Sequence, residues 1–496
     1  MIFLHALFAY ETLLQLIILL PLLAVVGIVA CAGRPNLRES VSLLTSLTVF
    51  LIACTLYSPV MRGEIIETTW FAWFPGVDVR FRLEPLGLLF SLIAGFLWFV
   101  TTLYALGYMR AHNEPRQTRF YSCFALAITA TMGIACAENL LTLFIFYEAL
   151  TLCTFPLVTH AGTERAKHGG WVYISILLGT SIAFFLLAIA LTWQLSGTLS
   201  FTRGGVFTAD TSTATLSVLL TLFVFGVGKA AIMPFHRWLP AAMVAPTPVS
   251  ALLHAVAVVK AGVFTLIKVC FYIFGLETLN TLPALQWLLY LAGATILLAS
   301  LVALRQDNLK ARLAYSTVSQ LGYITLGALL ATSVSLMGSA MHIAMHAFGK
   351  ITLFFCAGAI LVAAHKTEIS EMRGLGRQMP LTMLAFLVGS LSIIGIPPTG
   401  GTWSKWYLLS GTFDAGQWLL MGVLMISSLL NIAYLLPIGA RAFFAADADP
   451  PEIAHRPKAV AEAPLPVLMA TGITALGCVV LFVYPQPIYR LISTVF

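Results

Sequence analysis

Five lysines lie inside long apolar stretches of this chain: Lys229, Lys260, Lys268, Lys350 and Lys405. No arginine is placed this way, and the difference is chemical. A desolvated lysine can release its proton, whereas an arginine effectively cannot. An ammonium group at the centre of a membrane helix costs about 2.5–3.5 kcal/mol on insertion scales, so such groups normally face protein or a water-filled cavity and mark ion paths. Glu148, in LFIFYEALTL, is the one carboxylate in the middle of an apolar stretch, with Glu138 at an edge. At ~5 Å and an effective dielectric of ~20, a carboxylate steadies a neighbouring ammonium by roughly 3 kcal/mol. Protonating Glu148 would then free a proton from an adjacent lysine, which makes a switch; a static buried ion pair is the other reading. Lys268, toward the end of its stretch, is the best placed of the five to snorkel out to the headgroups.

The histidines extend this set. His342, His346 and Lys350, in MHIAMHAFGKI, recur every fourth residue and share one helical stripe. Imidazole changes charge near neutral pH, which suits a proton relay. The same HxxxH spacing can hold a metal, but neither an HExxH glutamate nor a third ligand accompanies it, so no metal and no cofactor are expected. His254 precedes Lys260 by six residues, about 120° around a helix, so the two should meet different partners. Eight cysteines are scattered without a CxxC pair and read as small hydrophobes.

The elements that carry these groups must be membrane helices. Of 496 residues, 59% are hydrophobic and 9% charged, against about 25% charged in soluble domains. Windows of about 20 apolar residues recur throughout. The chain reads as an all-α, polytopic integral membrane protein with fourteen spans near 13–31, 41–60, 86–109, 120–137, 140–159, 171–193, 216–243, 248–274, 283–304, 313–331, 336–364, 381–413, 417–440 and 464–483. The first has no basic flank ahead of it and reads as a retained helix.

Spans 7 and 12 are overlong and interrupted, the first at Pro234 beside Lys229, the second at Pro397 and Pro398 before Lys405. Each alone could be a simple kink; paired breaks beside lysines point to a transport site. The single membrane domain, 1–496, divides into peripheral helices 1–3 (1–110), a five-helix unit (120–274, spans 4–8), a second unit inverted relative to it (283–440, spans 9–13) and a last helix and tail (464–496). The connections 61–85, 194–214 and 441–463 are too short for an extramembrane catalytic domain, so no self-contained active site is expected. Seventeen lysines and arginines fall on one face, in its connections and, as Arg237, past the break of span 7; on the other are five, Arg62, Arg80, Arg82, Arg203 and Arg490. By the positive-inside bias, both termini are expected on the non-cytoplasmic side of a bacterial-type inner membrane. The net charge of +7 is thus a topology signal and no evidence for nucleic acid.

At four stretches the chain resembles the antiporter-like subunits shared by respiratory complex I and the Mrp-type cation/proton antiporters. They are PFHRWLPAAMVAPTPVSALLHAVAVVKAG, DNLKARLAYSTVSQLGY, HAFGKITLFFCAGA and GIPPTGGTWSKW. The resemblance covers essentially the whole chain. It implies a fourteen-helix core with a proton path across mid-membrane, in which Glu148 is the coupling carboxylate and Lys229 its partner. Lys260 would be the central lysine and Lys405 the terminal one, with His254, His342, His346 and Lys350 connecting them. It also implies partners: other membrane subunits of one complex, embedded in the lipid bilayer. One complex I paralogue carries glutamate where this chain has Lys405, which argues against that paralogue. The end of the chain after span 14 fits the shorter antiporter-like member of the Mrp complexes, while APTPVSALLHA looks more like the larger relatives. Thr402 stands where many relatives have phenylalanine. A second reading keeps the fold but makes the chain the proton-coupled membrane partner of a large soluble zinc-containing protein in inorganic-carbon uptake. A membrane enzyme acting on lipid would need acidic or metal-binding motifs near a bilayer face, and the short connections carry none.

Overall fold

The computed structural model describes residues 9–74, 77–445 and 460–495. Most of the connection 441–463, with Arg456 and Lys458, lies outside them. Fourteen apolar spans, the twelfth divided into two helices, appear among the described residues, matching the hydropathy reading. They begin with α1 (Tyr10–Ala30), α2 (Pro35–Thr55), α3 (Pro85–Ala111), α4 (Gln117–Cys136), α5 (Leu140–Val158) and α6, which runs from Glu164 to Ser196. The first half of the broken seventh span is α7 (Thr213–Gly226), followed by α8 (Thr247–Phe274), α9 (Pro283–Arg305), α10 (Leu309–Leu329) and α11 (Ser333–Ala364). The twelfth span is split into α12 (Pro380–Ile394) and α13 (Gly401–Asp414); α14 (Trp418–Phe444) and α15 (Leu465–Val483) follow, and a short amphipathic α16 (Gln486–Ser493) ends the described chain. Among the described residues, eleven helical segments are long and apolar enough to cross a membrane.

One element was not anticipated. Within 61–85 the chain forms an antiparallel hairpin, β1 (Glu67–Phe74) with β2 (Val77–Arg82), so the all-helical reading gains a small extramembrane cap. Its alternating WFAWF and VDVRFR pattern is the period-2 signal that a hydropathy scan tuned to 20-residue windows passes over. The hairpin sits over the α4–α5 link through a bridge between Phe81 and Ala137.

Short polar side chains set the helix starts. Asn139 caps α5 by accepting from Thr142 N (2.8 Å), Asn308 caps α10, and Thr332 with Ser335 forms a reciprocal capping box on α11. The apolar window of α8 is wholly buried, and α11 packs against α3, α8, α10, α12, α13 and α15. Lipid faces the outer helices, where Leu23, Val26, Leu44 and Leu429 are exposed.

The two breaks differ from the expected pattern. The seventh span does not continue to Pro234; α7 already ends at Gly226, and Lys229 lies on a tight turn, Gly228–Ala230. A Cβ at Gly226 would lie 2.4 Å from Phe185 N, and one at Gly228 would lie 2.2 Å from Thr180 Oγ1, so the chain is pressed onto a π-helical turn of α6 (Ser181–Phe185). In the twelfth span α12 stops at Ile394, Gly395 takes φ +89°, and Lys405 lies one turn into α13. Here too backbones touch, since a Cβ on Gly401 would lie 1.8 Å from Ser392 O. Gly401→Ala is therefore expected to destabilise the folded chain by about 1–3 kcal/mol. Gly472→Ala, with nothing near its added methyl, should leave thermal unfolding in detergent unchanged.

Candidate functional site

Lys229 is fully buried, and α5 solvates it. Its ammonium donates to Tyr147 O (2.8 Å) and Thr151 Oγ1 (2.6 Å) and lies 3.1 Å from the centre of the Tyr147 ring. The Lys229 backbone N donates to Tyr147 Oη, and Trp238 Nε1 donates to Gly228 O, so protein side chains satisfy the broken ladder that lipid could not. Glu148 is the next residue on α5 but forms no ion pair with Lys229 within 4.0 Å. Both its carboxyl oxygens are buried and lack a hydrogen-bond partner among the described residues. Glu148 remains within electrostatic reach of Lys229. The expected contact is thus replaced by one step of separation, with Tyr147 and Thr151 holding the amine.

From Lys229 the interior continues directly to α8. A Cβ on Gly262 would lie 2.4 Å from both Lys229 C and Ala230 N. Glycine is what allows α8 to rest on this turn, and it carries Lys260, two residues away, with it. The Lys260 ammonium meets His346 Nδ1 on α11 at 2.5 Å. His254 lies in a π-helical turn, Leu252–Val256, with its ring 4.7 Å from Phe354; among the described residues neither nitrogen has a hydrogen-bond partner. Such turns recur at functional sites. His254 and Lys260 therefore face α11 at different partners.

Beyond Lys260 the groups follow one another along α11 toward α13. The His346 and His342 rings lie 5.7 Å apart, 28° from parallel. His342 is held from both sides, Nδ1 by Ser404 Oγ (2.8 Å) and Nε2 by Gln320 Oε1 (3.1 Å), and stacks at 5.9 Å on Tyr323. The Tyr323 hydroxyl is 3.3 Å from Ser428 Oγ, to which Lys405 donates at 3.1 Å. Lys405 also reaches back to Ile394 O (3.0 Å), the carbonyl exposed by the break, and sits 4.8 Å from the Tyr323 ring centre. Lys350 lies off this line: its ammonium donates to Ser316 Oγ (2.6 Å) and Leu313 O (3.2 Å) on α10, and Ser316 in turn accepts from Tyr434.

Two lysines are placed differently from expectation. Lys268 does not snorkel; its ammonium is sealed against Glu84 (3.2 Å), Ala137 O (2.8 Å) and the ring of Phe201 (3.9 Å). Lys310, counted as a connection residue, turns its ammonium inward onto Ala245 O (2.6 Å). Sequence reasoning also passed over Tyr147, Thr151, Gln320, Tyr323, Ser316, Ser404 and Ser428, residue types too common in helices to stand out. Thr402 lines a 360 Å³ cavity beside Lys405, Trp406 and Ser428, and its hydroxyl has no hydrogen-bond partner among the described residues.

A protein family described as NADH:quinone oxidoreductase/Mrp antiporter, transmembrane, matches residues 137–431, which contain every group in this line. The chain is 31% identical over 491 residues to NADH-quinone oxidoreductase subunit N of Desulforudis audaxviator, covering 95% of this chain and 96% of that one. It is also 31% identical to subunit L of Rickettsia bellii, over 93% of this chain and 73% of the longer relative. Its fold matches a chain of an archaeal membrane-bound sulfane sulfur reductase (TM-score 0.85, 24% identity, 97% and 96% covered) and one of the Mrp complex of Dietzia sp. (TM-score 0.85, 22% identity, 98% and 97% covered). The protein is a multi-pass membrane protein of the antiporter-like class. It belongs to the NADH:quinone oxidoreductase/Mrp antiporter family.

Because Gln320 and Ser404 fix the His342 ring, removing either hydrogen bond should slow proton movement about three- to tenfold. Gln320→Leu and Ser404→Ala, assayed as proton flux in proteoliposomes, are expected to show this loss, and Thr48→Ala on the lipid-facing side of α2 is expected to show none.

Proposed function

We propose that this chain is a proton-translocating, antiporter-like subunit of a multisubunit membrane complex, working beside other membrane subunits rather than on a substrate of its own. The observation that carries the reading is the line of buried amines and imidazoles from Lys229 through Lys260, His346 and His342 to Lys405. Each basic group is solvated by carbonyls, hydroxyls or a neighbouring ring, and among the described residues none of them has a carboxylate within 4.0 Å to lock it in its charged form. Glu148, beside Lys229 but not bonded to it, acts as the control charge: ionised, it favours the ammonium, and protonated, it lets the proton move on toward Lys260. Lys350 and His254 flank the centre and set its field, since both lie within electrostatic reach of His346.

The two five-helix units, 120–274 and 283–440, would be inverted repeats whose breaks at Pro234 and at Pro397 and Pro398 place Lys229 and Lys405 at the two ends of the path. With the arginine-poor face outward, both termini lie on the non-cytoplasmic side. The relatives above are subunits of redox and Mrp complexes, which favours this reading over the inorganic-carbon alternative. Lys405, lining a lateral cavity with the exposed Trp406, is the group placed to hand charge to a neighbouring subunit.

Proton flux in proteoliposomes tests the switch. Lys229→Ala and Glu148→Gln are each expected to lower it about 100-fold; unchanged flux in both variants would remove the proposal. Isolation from native membranes tests the setting. Other polytopic subunits are expected to copurify, whereas recovery with a single large soluble partner would support the carbon-uptake reading instead.

A further inference from the structure

The proposed line contains three of the five embedded lysines, Lys229, Lys260 and Lys405, with Lys350 beside it, and leaves Lys268 unused. Its ammonium is buried, yet its carboxylate partner borders a cavity. Lys268 lies on α8 eight residues beyond Lys260, and Phe264 falls midway, so the three share one helical stripe. The Lys268 ammonium is 5.8 Å from the Phe264 ring centre on one side. On the other it contacts Glu84 (3.2 Å), the Phe201 ring (3.9 Å) and the Tyr272 ring (5.5 Å).

Glu84, Phe201 and Tyr272 are also wall residues of a 640 Å³ cavity. Its rim carries Arg62 and Glu64, whose side chains are about half exposed, so the cavity meets water on the arginine-poor face. The arginines around it are already engaged: Arg62 with Glu64 (2.7 Å), Arg82 with Glu67 (2.9 Å) and, more distantly, Glu138 (3.9 Å), and Arg203 with Thr494 O (2.7 Å). Glu84, by contrast, has Lys268 as its one ion-pair partner within 4.0 Å among the described residues, and its Oε2 forms no aligned hydrogen bond. The inner side is closed by a different kind of contact. Phe264, midway between Lys260 and Lys268 on α8, packs against Phe90 of α3 with ring centres 5.0 Å apart, and both are fully buried.

We propose that this cavity is a second proton port, in which Glu84 and Lys268 pass protons between water on the arginine-poor face and the central line, and the Phe90–Phe264 pair is its gate. The inference rests on Lys260 being part of the proton path. Outward, an N–H bond of the Lys268 ammonium breaks and an O–H bond forms on Glu84, leaving a neutral amine and a neutral acid. Glu84 then gives that proton to cavity water as hydronium. The amine regains a proton from the Lys260 side only when the aromatic pair parts, so the gate prevents an uncontrolled leak. The geometry also explains why Lys268 points away from the lipid headgroups: snorkelling would disconnect it from Glu84.

The test uses the full chain with its copurifying subunits in liposomes, with proton flux driven by a potassium diffusion potential and read by an internal pH dye. Phe264→Ala is expected to raise flux about tenfold, and adding Glu84→Gln or Lys268→Met to it is expected to return flux to the wild-type level. Flux unchanged in Phe264→Ala, or a gain that survives Glu84→Gln, would overturn the port. Phe90→Ala opens the same gate from α3 and carries the same two outcomes if Phe264→Ala does not fold. Lys260→Ala separates the two proposals: wild-type flux in that variant removes the central path itself, whereas lost flux with an inert Phe264→Ala removes the port alone.

Discussion

An ammonium group at membrane depth must be solvated by the protein, and the arrangement of this chain follows from that requirement. Lys229 finds the carbonyl of Tyr147, the hydroxyl of Thr151 and the face of an aromatic ring. Lys405 finds the carbonyl that its own broken helix left unpaired, with a serine hydroxyl beside it. Lys350 repeats the pattern on α10, and Lys260 takes an imidazole instead. Carbonyls and hydroxyls accept from an ammonium without carrying a full charge, so they lower the cost of the charged form without fixing it. A bonded carboxylate would do the opposite, because breaking a buried ion pair leaves an uncompensated charge. Lys268 differs in having a carboxylate, Glu84, at 3.2 Å, and it stands at the water-facing end of α8, where a cavity lies beside Glu84.

The helix breaks and close approaches serve the same end. Ending α7 at Gly226 frees the Lys229 turn to lie against α5, α6 and α8 at once, and Gly226, Gly228 and Gly262 leave no Cβ where those backbones meet. The second break exposes Ile394 O to Lys405, and Gly401 brings α13 onto Ser392. In both places a hydrogen-bond ladder is interrupted, and the freed groups take protein partners. These interruptions supply the polar environment that a continuous helix withholds.

Much of this was legible in the sequence, and the limits are physical. Apolar windows located the fourteen segments because burial in lipid demands long uninterrupted runs. Embedded lysines stood out because their cost makes them rare. The partners did not, since Ser316, Ser404, Ser428 and Thr151 resemble the many other serines and threonines that bond their own helix, as Thr48 and Ser91 do here. The end of α7 was placed too late because Pro234 is a visible breaker, while the tight packing of Gly226 and Gly228 depends on a helix elsewhere in the chain. The π-turn at His254 has no local signature, and the fate of Lys268 depended on Glu84, a residue 184 positions away. Inverse relation of the two five-helix units stays a reading of topology carried by the two breaks.

The central claim is that the buried amines change charge as part of their work, under the control of Glu148. Solid-state NMR of the lysine side-chain nitrogens reads this directly, because ammonium and neutral amine resonate at different shifts. With Lys229 and Lys260 assigned in the membrane-embedded complex, the account predicts that Glu148→Gln moves the Lys229 signal toward the neutral amine and changes that of Lys260. Identical spectra for the two proteins, with both lysines fixed in one protonation state, would contradict it.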